Sequence, residues 1–305
     1  NLKKLKMNWQ IYVFLMLPFL YIIVFAYAPM GGVLIAFKKY NPNLGIFKSE
    51  WIGLANFIRF FKSYQFERII VNTLRISIYS LVAGFPIPIL FALLLNTINA
   101  NLYKRIVQTV TYMPHFISIV VLVGMIIQIL NPVVGIYAKI YRLLGFVGQP
   151  EDLLASPSAF PHIYVWSGVW QHFGWDSIIY IAALSAVNPE LHEAAEIDGA
   201  TRLQRVFHVD FPAILPTATI MLILRFGQIM GVGFEKVYLL QNSLNLRTSE
   251  VISTYVYKVG IGSQVGTRTD YSYGTAIGLF NSVINLFLVI IMNKITKKLG
   301  ETSLW

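Results

Sequence analysis

The chain contains no cysteine among its 305 residues. This absence excludes disulfide bonds, thiolate metal sites and a cysteine nucleophile. It also means that cysteine usage gives no information on the redox compartment of the protein. Charged residues are scarce as well, at 12% of the chain, whereas soluble proteins carry about 25%. A soluble domain of this length would need a larger polar surface, so the composition argues against one.

Apolar residues take the place of the missing charge and make up 56% of the chain. The mean hydropathy of +0.62 predicts a surface that faces lipid. A net charge of +10 and a pI near 9.6 are typical of nucleic-acid binders, but a protein that crosses a membrane repeatedly needs Lys and Arg in its loops. We therefore expect the lipid bilayer as a partner and no nucleic acid.

Long apolar runs predict the fold. A helix that crosses a bilayer takes about 20 mainly apolar residues, and no segment between the runs is long enough to form a soluble domain. The sequence thus predicts an all-α polytopic membrane protein with six transmembrane helices, over residues 11–37, 70–98, 106–130, 162–186, 217–240 and 274–292.

The first apolar run has a second interpretation. Three lysines precede it, and Ala26-Tyr27-Ala28 lies near its end, which is the layout of a secretory signal peptide with a cleavage site. Pro29 directly after this tripeptide disfavours cleavage, and the apolar residues continue to Phe37. We therefore expect an uncleaved first helix.

A polar stretch, residues 187–216, separates the fourth and fifth runs. Asn188 is a suitable cap for a helix with Pro189 in its first turn. Gly199 is suited to end that helix, because glycine adopts positive φ without strain.

A second short helix is predicted to begin after Thr201, with Gln204 completing a capping box. Pro212 and Pro216 are expected to break the chain before the next span. The prediction is a helix–glycine–helix elbow at the membrane surface.

The elbow resembles a family motif. Glu193-Ala194-Ala195 is followed by three residues, Gly199, nine residues and then Val209-Asp210-Phe211-Pro212. This spacing is similar to the EAA loop in permease subunits of ATP-binding-cassette (ABC) importers, with Val209 for Ile and Phe211 for Leu. The resemblance implies that the loop couples the membrane subunit to a cytoplasmic ATPase, through Glu190, Glu193, Ala194, Ala195, Asp198, Gly199 and Pro212.

The residue types suit such a contact. Ala194 and Ala195 let another protein approach the helix backbone closely, Glu193 offers a charge to a basic partner, and Gly199 sets the elbow angle. The alternative, without a role in coupling, is an amphipathic connector between two spans. The chain has no Gly-x-x-x-x-Gly-Lys-[Ser/Thr] phosphate loop, so it is not expected to be an enzyme, and ATP hydrolysis is assigned to a separate subunit.

Other segments resemble the carbohydrate-uptake branch of the type I ABC importers, chiefly residues 170–176 and also residues 85–88, 112–115, 225–227 and 234–238. The resemblance implies an oligosaccharide substrate and three kinds of protein partner: a second homologous permease subunit, two cytoplasmic ATPase subunits and an extracytoplasmic solute-binding protein. It also implies the bacterial inner membrane, with both termini cytoplasmic; basic clusters at both ends agree with this orientation.

The resemblance divides the chain in two. Residues 1–69 would form an N-terminal transmembrane helix and an external segment. Residues 70–305 would form a five-helix permease core that contains the cytoplasmic coupling loop 187–216.

Polar side chains inside the predicted spans are candidates for the substrate pathway. Asp176 and Arg225 lie at matched depths on consecutive spans and are predicted to pair, either as a structural ion pair or as part of a gate. Asn281 and Asn285 share one face of the last span, where interhelical hydrogen bonding is the alternative role. The complete candidate set is Trp170, Gln171, Trp175, Asp176, Arg225, Gln228, Asn281 and Asn285.

The distribution of charge gives an indication of the charge of the substrate. The predicted external segments, residues 38–69, 131–161 and 241–273, carry more basic than acidic residues, which favours an acidic, uronic-acid-containing oligosaccharide. The alternatives are an ABC permease for an amino acid, peptide, phosphate or polyamine, and a membrane glycosyltransferase. The five histidines show no ligand spacing, so we expect neither a metal nor a cofactor.

Overall fold

A computed structural model describes residues 9–98, 100–262 and 269–298. The described chain is mostly helical, which confirms the all-α prediction. Two short strands, Lys38–Lys39 and Glu50–Trp51, pair antiparallel. The α-helices are Trp9–Ile22, Ala28–Met30, Gly45–Lys48, Ala55–Phe61, Phe66–Gly84, Pro86–Asn96, Asn101–Tyr112, Ile119–Leu130, Ile136–Leu143, Ala159–Asp176, Ile178–Ser185, Pro189–Ile197, Arg202–Arg205, Phe211–Phe226, Phe234–Leu240, Leu246–Ser249, Ile252–Gly260 and Tyr271–Lys298.

Four helical stretches of the described chain are long and apolar enough to cross a membrane: Trp9–Phe37, Phe66–Asn96, Arg202–Phe226 and Tyr271–Lys298. A bent pair of helices raises the number to five if the pair forms one span. The predicted fourth span corresponds to two helices, Ala159–Asp176 and Ile178–Ser185, that meet at Ser177. The multi-pass prediction is confirmed, and the count of six spans stays a prediction.

The chain forms two compact units. The first is made of Asn1–Ser63 and Val256–Phe280. Within its described residues, the Asn56 side chain donates a hydrogen bond to the backbone carbonyl of Ala36 over 2.8 Å. The ring of Phe60 is buried and meets Phe280 edge to face. The first contact holds the end of the first helical stretch against the segment that follows it, and the second joins that segment to the helix Tyr271–Lys298.

In the second unit, Tyr64–Tyr255 with Asn281–Trp305, the described residues form two apolar cores. In lipid, close packing rather than transfer from water stabilises such clusters. One core consists of Ile76, Leu122, Val123, Ile126, Phe160, Val232, Val237, Leu240 and Val251. The other consists of Ile89, Ala92, Leu93, Tyr180, Leu184, Ile214 and Ala218.

The predicted third span is not one continuous helix. The stretch Asn101–Phe116 meets the helix Ile119–Leu130 at a bend of 98°. Pro114 lies in a 3₁₀ turn, Ile117 is extended, and the Ser118 hydroxyl caps the next helix by accepting the Val121 N–H. Proline restricts the turn and serine starts a new helix, so the run predicted over 106–130 changes direction in its middle.

The predicted fifth span, 217–240, is wrong in both of its limits. The helical stretch begins at Arg202, passes through a π-helical turn at Val206–Asp210 and ends at Phe226. The bends and glycines after it, at residues 227–233, separate it from the helix Phe234–Leu240. Glycine destabilises a helix interior by about 1 kcal/mol relative to alanine, and three glycines lie in this short segment.

Pro212 and Pro216 do not break the chain, contrary to the sequence prediction. Pro212 lies in the first turn of Phe211–Phe226, and Pro216 lies inside the same helix. In the π-helical turn, the N–H of Phe211 bonds to the carbonyl of Val206. This wider turn admits proline without loss of helical continuity, because local π adjustments satisfy backbone groups that proline leaves free.

Gly174 allows two helices to touch. A Cβ atom at this position would lie 2.2 Å from the backbone oxygen of Thr111. We expect Gly174→Ala to destabilise the protein by about 3 kcal/mol or more, because a helix must move to admit the methyl group. Thermal unfolding in detergent measures the effect.

Gly124→Ala is the matched control, since Gly124 is helical and a methyl group added there would have no atom within 4 Å. It should leave the unfolding temperature unchanged or raise it, because alanine favours helix. Equal unfolding temperatures for the two variants would contradict the packing argument.

Candidate functional site

The elbow has the predicted local geometry. Asn188 accepts the Glu190 N–H over 3.1 Å at the start of the helix Pro189–Ile197. Gly199 has a φ of +78°, and Thr201 forms the capping box with its partner on the next turn. The caps and the glycine therefore fix a helix–glycine–helix turn through contacts that are all local in sequence.

The outer face of the elbow is open. No residue of the helix Pro189–Ile197 is buried. Ile197 is 87% exposed and Phe207 is 62% exposed. Of the seven candidate coupling residues, all are exposed except Ala195, which is half-buried. Acidic side chains beside exposed apolar ones are typical of a surface that meets another protein.

The inner face of the elbow is fixed to the bundle by Asp210. This carboxylate is 3% exposed. It accepts a hydrogen bond from the Asn96 amide and lies beside Nε2 of His192, both over 3.2 Å. The buried carboxylate thus links the elbow helix, which carries His192, to the end of the helix Pro86–Asn96.

We expect Asp210→Ala to lower the free energy of unfolding by about 1–3 kcal/mol, because the Asn96 amide would lose its acceptor in a buried position. The elbow would also be less well ordered, so the stimulated rate of ATP hydrolysis in the assembled complex should fall. Glu151→Ala, at an exposed position, is the matched control. If Asp210→Ala unfolds at the same temperature as this control, the anchoring role is wrong.

A cavity of about 410 Å³ lies within the second unit. Ligand pockets typically span about 300–1,000 Å³, so this space is large enough for a sugar ring. Most of its wall is apolar or backbone. The polar side chains that line it are Ser77, Ser80, Tyr164, Gln171, His172, Asp176, Arg225, Gln228 and Lys236.

Asp176 and Arg225 form an ion pair in the cavity wall. A guanidinium nitrogen of Arg225 lies 2.6 Å from the Asp176 carboxylate. The side chains are 27% and 32% exposed, Arg225 and Asp176 respectively. Arg225 also lies 5.8 Å from the centre of the Phe85 ring. The pair predicted from matched depths is present, and the two charges neutralise each other.

The other pathway candidates fall into two groups, those that line the cavity and those that do not. Gln171 and Gln228 line the cavity; Gln171 is buried and donates to the carbonyl of Ile117 over 2.8 Å. Trp170 and Trp175 are exposed and are not part of the cavity lining. The indole of Trp175 instead stacks on His115, with ring centres 4.4 Å apart.

Neither candidate asparagine of the last helix, Tyr271–Lys298, is part of the cavity lining. Asn285 accepts the N–H of Met230 over 3.1 Å. Met230 lies in the turn that follows the helix ending at Phe226. The contact matches the interhelical role. The side-chain oxygen of Asn281 is buried and has no hydrogen-bond partner within the described part of the chain.

Lys236 is the charged residue of the cavity lining that the candidate set omitted. Its side chain lines the cavity, and the residue is only 7% exposed. The polar segment 234–238 carried a family likeness, but the predicted span 217–240 placed it in a continuous helix. The glycines at residues 227–233 were the signal that a new, separately placed helix follows.

The comparisons with known proteins agree with this geometry. The family model described as "Binding-protein-dependent transport system inner membrane component" matches residues 84–301. The polygalacturonan/rhamnogalacturonan transport system permease protein YteP of Bacillus subtilis is 40% identical over 99% of this chain and 92% of its own length. The protein LplB of the same organism is also 40% identical, over the same shares of the two chains.

Two solved structures are similar along the whole chain. One is a bacterial ABC transporter involved in the import of the acidic polysaccharide alginate, with a TM-score of 0.88 and 38% identity over 98% of this chain and 99% of that one. The other is a bacterial alginate ABC transporter in complex with an alginate pentasaccharide-bound periplasmic protein, with a TM-score of 0.89 and 37% identity over 99% of each chain.

Proposed function

The chain belongs to the family of inner-membrane components of binding-protein-dependent transport systems, and on that premise we propose that it is one permease subunit of an ATP-driven importer of acidic oligosaccharides. The likeness in sequence to a polygalacturonan/rhamnogalacturonan permease over nearly the whole chain carries the proposal. The alginate importers that share the fold support the same chemical class of substrate.

The charge of the chain supports an acidic substrate. The net charge is +10, and the charged groups that line the cavity are one carboxylate, one guanidinium and one ammonium. A cleft lined by an excess of one charge raises the local concentration of counter-charged substrates. Uronic acids carry a carboxylate on each ring, so such a cleft attracts them more strongly than it attracts neutral sugars.

The elbow would transmit the ATP cycle. In this proposal the helix Pro189–Ile197 enters a cleft on a cytoplasmic ATPase, and Glu193 meets a basic residue there. The open outer face supports docking, and the Asp210 anchor supports transmission of movement to the bundle. Hydrolysis then takes place on the partner, and both termini of this chain lie in the cytoplasm.

The importer would contain a second homologous permease, two ATPase subunits and an extracytoplasmic solute-binding protein. The helix Trp9–Ile22 has no buried residue within the chain, as suits a helix surrounded by lipid or by another subunit. The family match over residues 84–301 supports residues 70–305 as the permease core, with residues 1–69 added before it.

Cysteine cross-linking tests the docking of the elbow, since the chain has no native cysteine to remove. A complex that carries Glu193→Cys should cross-link to its ATPase subunit. Val147→Cys is the control, because Val147 is 97% exposed and lies in a predicted external segment. The assignment would be overturned if the cysteine at residue 193 did not cross-link to the ATPase in any nucleotide state. A cross-link from residue 147 to the ATPase would overturn it as well.

A further inference from the structure

Lys236 is a buried cation in the wall of the cavity. The residue is 7% exposed. Its ammonium donates to the backbone carbonyl of Tyr164 over 2.9 Å and lies 4.9 Å from the centre of the same tyrosine ring. Among the residues that the structure describes, no carboxylate lies within ion-pair distance of this ammonium.

The contacts of Lys236 leave its charge uncompensated. An ammonium has three N–H donors, and the carbonyl of Tyr164 takes one of them. A buried charge without a paired charge is costly, so such groups are retained mainly where a function requires them. Asp176 cannot supply the missing negative charge, because it is already paired with Arg225.

The remaining donors have access to the cavity. Lys236 belongs to the lining of the 410 Å³ space together with the neutral Asp176–Arg225 pair. The cavity therefore has a local excess of one positive charge, and Lys236 is its source. An anionic group that entered this space would find an ammonium with free donors.

We propose that Lys236 is a binding subsite for a carboxylate of the saccharide in transit. The inference rests on the proposed function and assigns a residue to it. A uronate carboxylate fits the subsite, because a lysine binds a single negative charge without the paired geometry that arginine imposes. The Tyr164 ring beside the ammonium adds an aromatic surface against which the apolar face of a sugar ring can lie.

A subsite with a single positive charge also suits an intermediate of transport. A site on a translocation path must bind its substrate well enough to admit it and weakly enough to release it. A single ammonium in contact with one carboxylate per binding event meets both conditions. Successive rings of an acidic oligosaccharide could use the same subsite in turn.

Equilibrium binding to the permease–ATPase complex in lipid nanodiscs tests the subsite without dependence on delivery by the binding protein. The probes are a galacturonate trisaccharide and its carboxyl-reduced, neutral counterpart. For Lys236→Met the Kd of the acidic trisaccharide should rise at least tenfold, while the Kd of the neutral one changes less than threefold. Lys236→Arg should retain most of the preference for the acid, and Lys139→Met, at an exposed site outside the cavity, should retain all of it.

Several outcomes would overturn the proposal. Equal losses for both probes in Lys236→Met would show that Lys236 only joins two helices through the Tyr164 carbonyl. An unchanged ratio of the two Kd values in Lys236→Met would show that Lys236 is not the subsite. A wild-type complex that shows no preference for the acidic trisaccharide would show the same. After any of these outcomes, ATP-driven uptake of oligosaccharide by the wild-type importer would still uphold the proposed function. Absence of all such uptake would refute that function itself.

Discussion

Replacing Gly199 with valine is expected to lower ATP-driven uptake by at least tenfold and to lower saccharide-stimulated ATP hydrolysis with it. Gly199 has a φ of +78°, and a β-branched residue rarely adopts positive φ. The strain is on the order of 1–3 kcal/mol. No atom lies within 4 Å of a Cβ atom at this position, so the effect would come from the backbone and not from crowding. The elbow would relax by changing its angle, and the helix before it would no longer meet the ATPase.

Two controls separate coupling from general damage. Gly199→Asn should be milder, because asparagine tolerates the left-handed conformation better than valine. Gly145→Val imposes a similar strain at a φ of +85° with open space around it, but it lies in a predicted external segment. Normal uptake by Gly199→Val, or equal loss in Gly145→Val, would show that the elbow angle is not what couples the subunits.

The second large effect concerns the ion pair in the cavity wall. Asp176→Asn and Arg225→Gln should each impair assembly and lower the unfolding temperature, since each leaves one charge without its partner in a low-dielectric setting. The double variant should be milder than the sum of the two. A double-mutant cycle on the free energy of unfolding should give a coupling energy of about 1–3 kcal/mol, within the range for residues in contact.

The exposed ion pair between Arg59 and Asp270 serves as the control for this double-mutant cycle. Its atoms are also 2.6 Å apart, but the side chains are 59% and 35% exposed. Exposed pairs contribute about 0.2–1 kcal/mol, so this cycle should give the smaller coupling. Additive effects at Asp176 and Arg225 would mean that the pair contributes no net stability.

The elbow could be predicted from sequence because every signal in it is local. The Asn188 cap, the glycine at 199 and the Thr201–Gln204 capping box act within a few residues of one another. Each residue type has a strong preference for the position it occupies. The multi-pass helical fold was predictable for a related reason, since long apolar runs satisfy backbone hydrogen bonds in lipid only as helices.

The cavity could not be predicted in the same way. Which polar side chain lines it depends on how helices rotate against each other, and that rotation is set by packing at positions such as Gly174. Lys236 lies inside the predicted span 217–240, but its burial in the cavity wall depends on the placement of a separate helix, Phe234–Leu240, after the glycines that follow Phe226. Trp170 and Trp175 lie outside the lining, because tertiary contacts such as the stacking of Trp175 on His115 decide where an indole lies.

ATP-driven uptake by the reconstituted importer tests the central claim most directly. Proteoliposomes would contain this chain with its partner permease, its ATPases and its solute-binding protein. They would be offered, in separate assays, labelled galacturonate oligosaccharides, neutral oligosaccharides, amino acids, peptides and polyamines. We expect accumulation that requires both ATP and the binding protein and that Gly199→Val lowers at least tenfold. Accumulation of amino acids, peptides or polyamines without any uptake of oligosaccharides, acidic or neutral, would contradict the central claim.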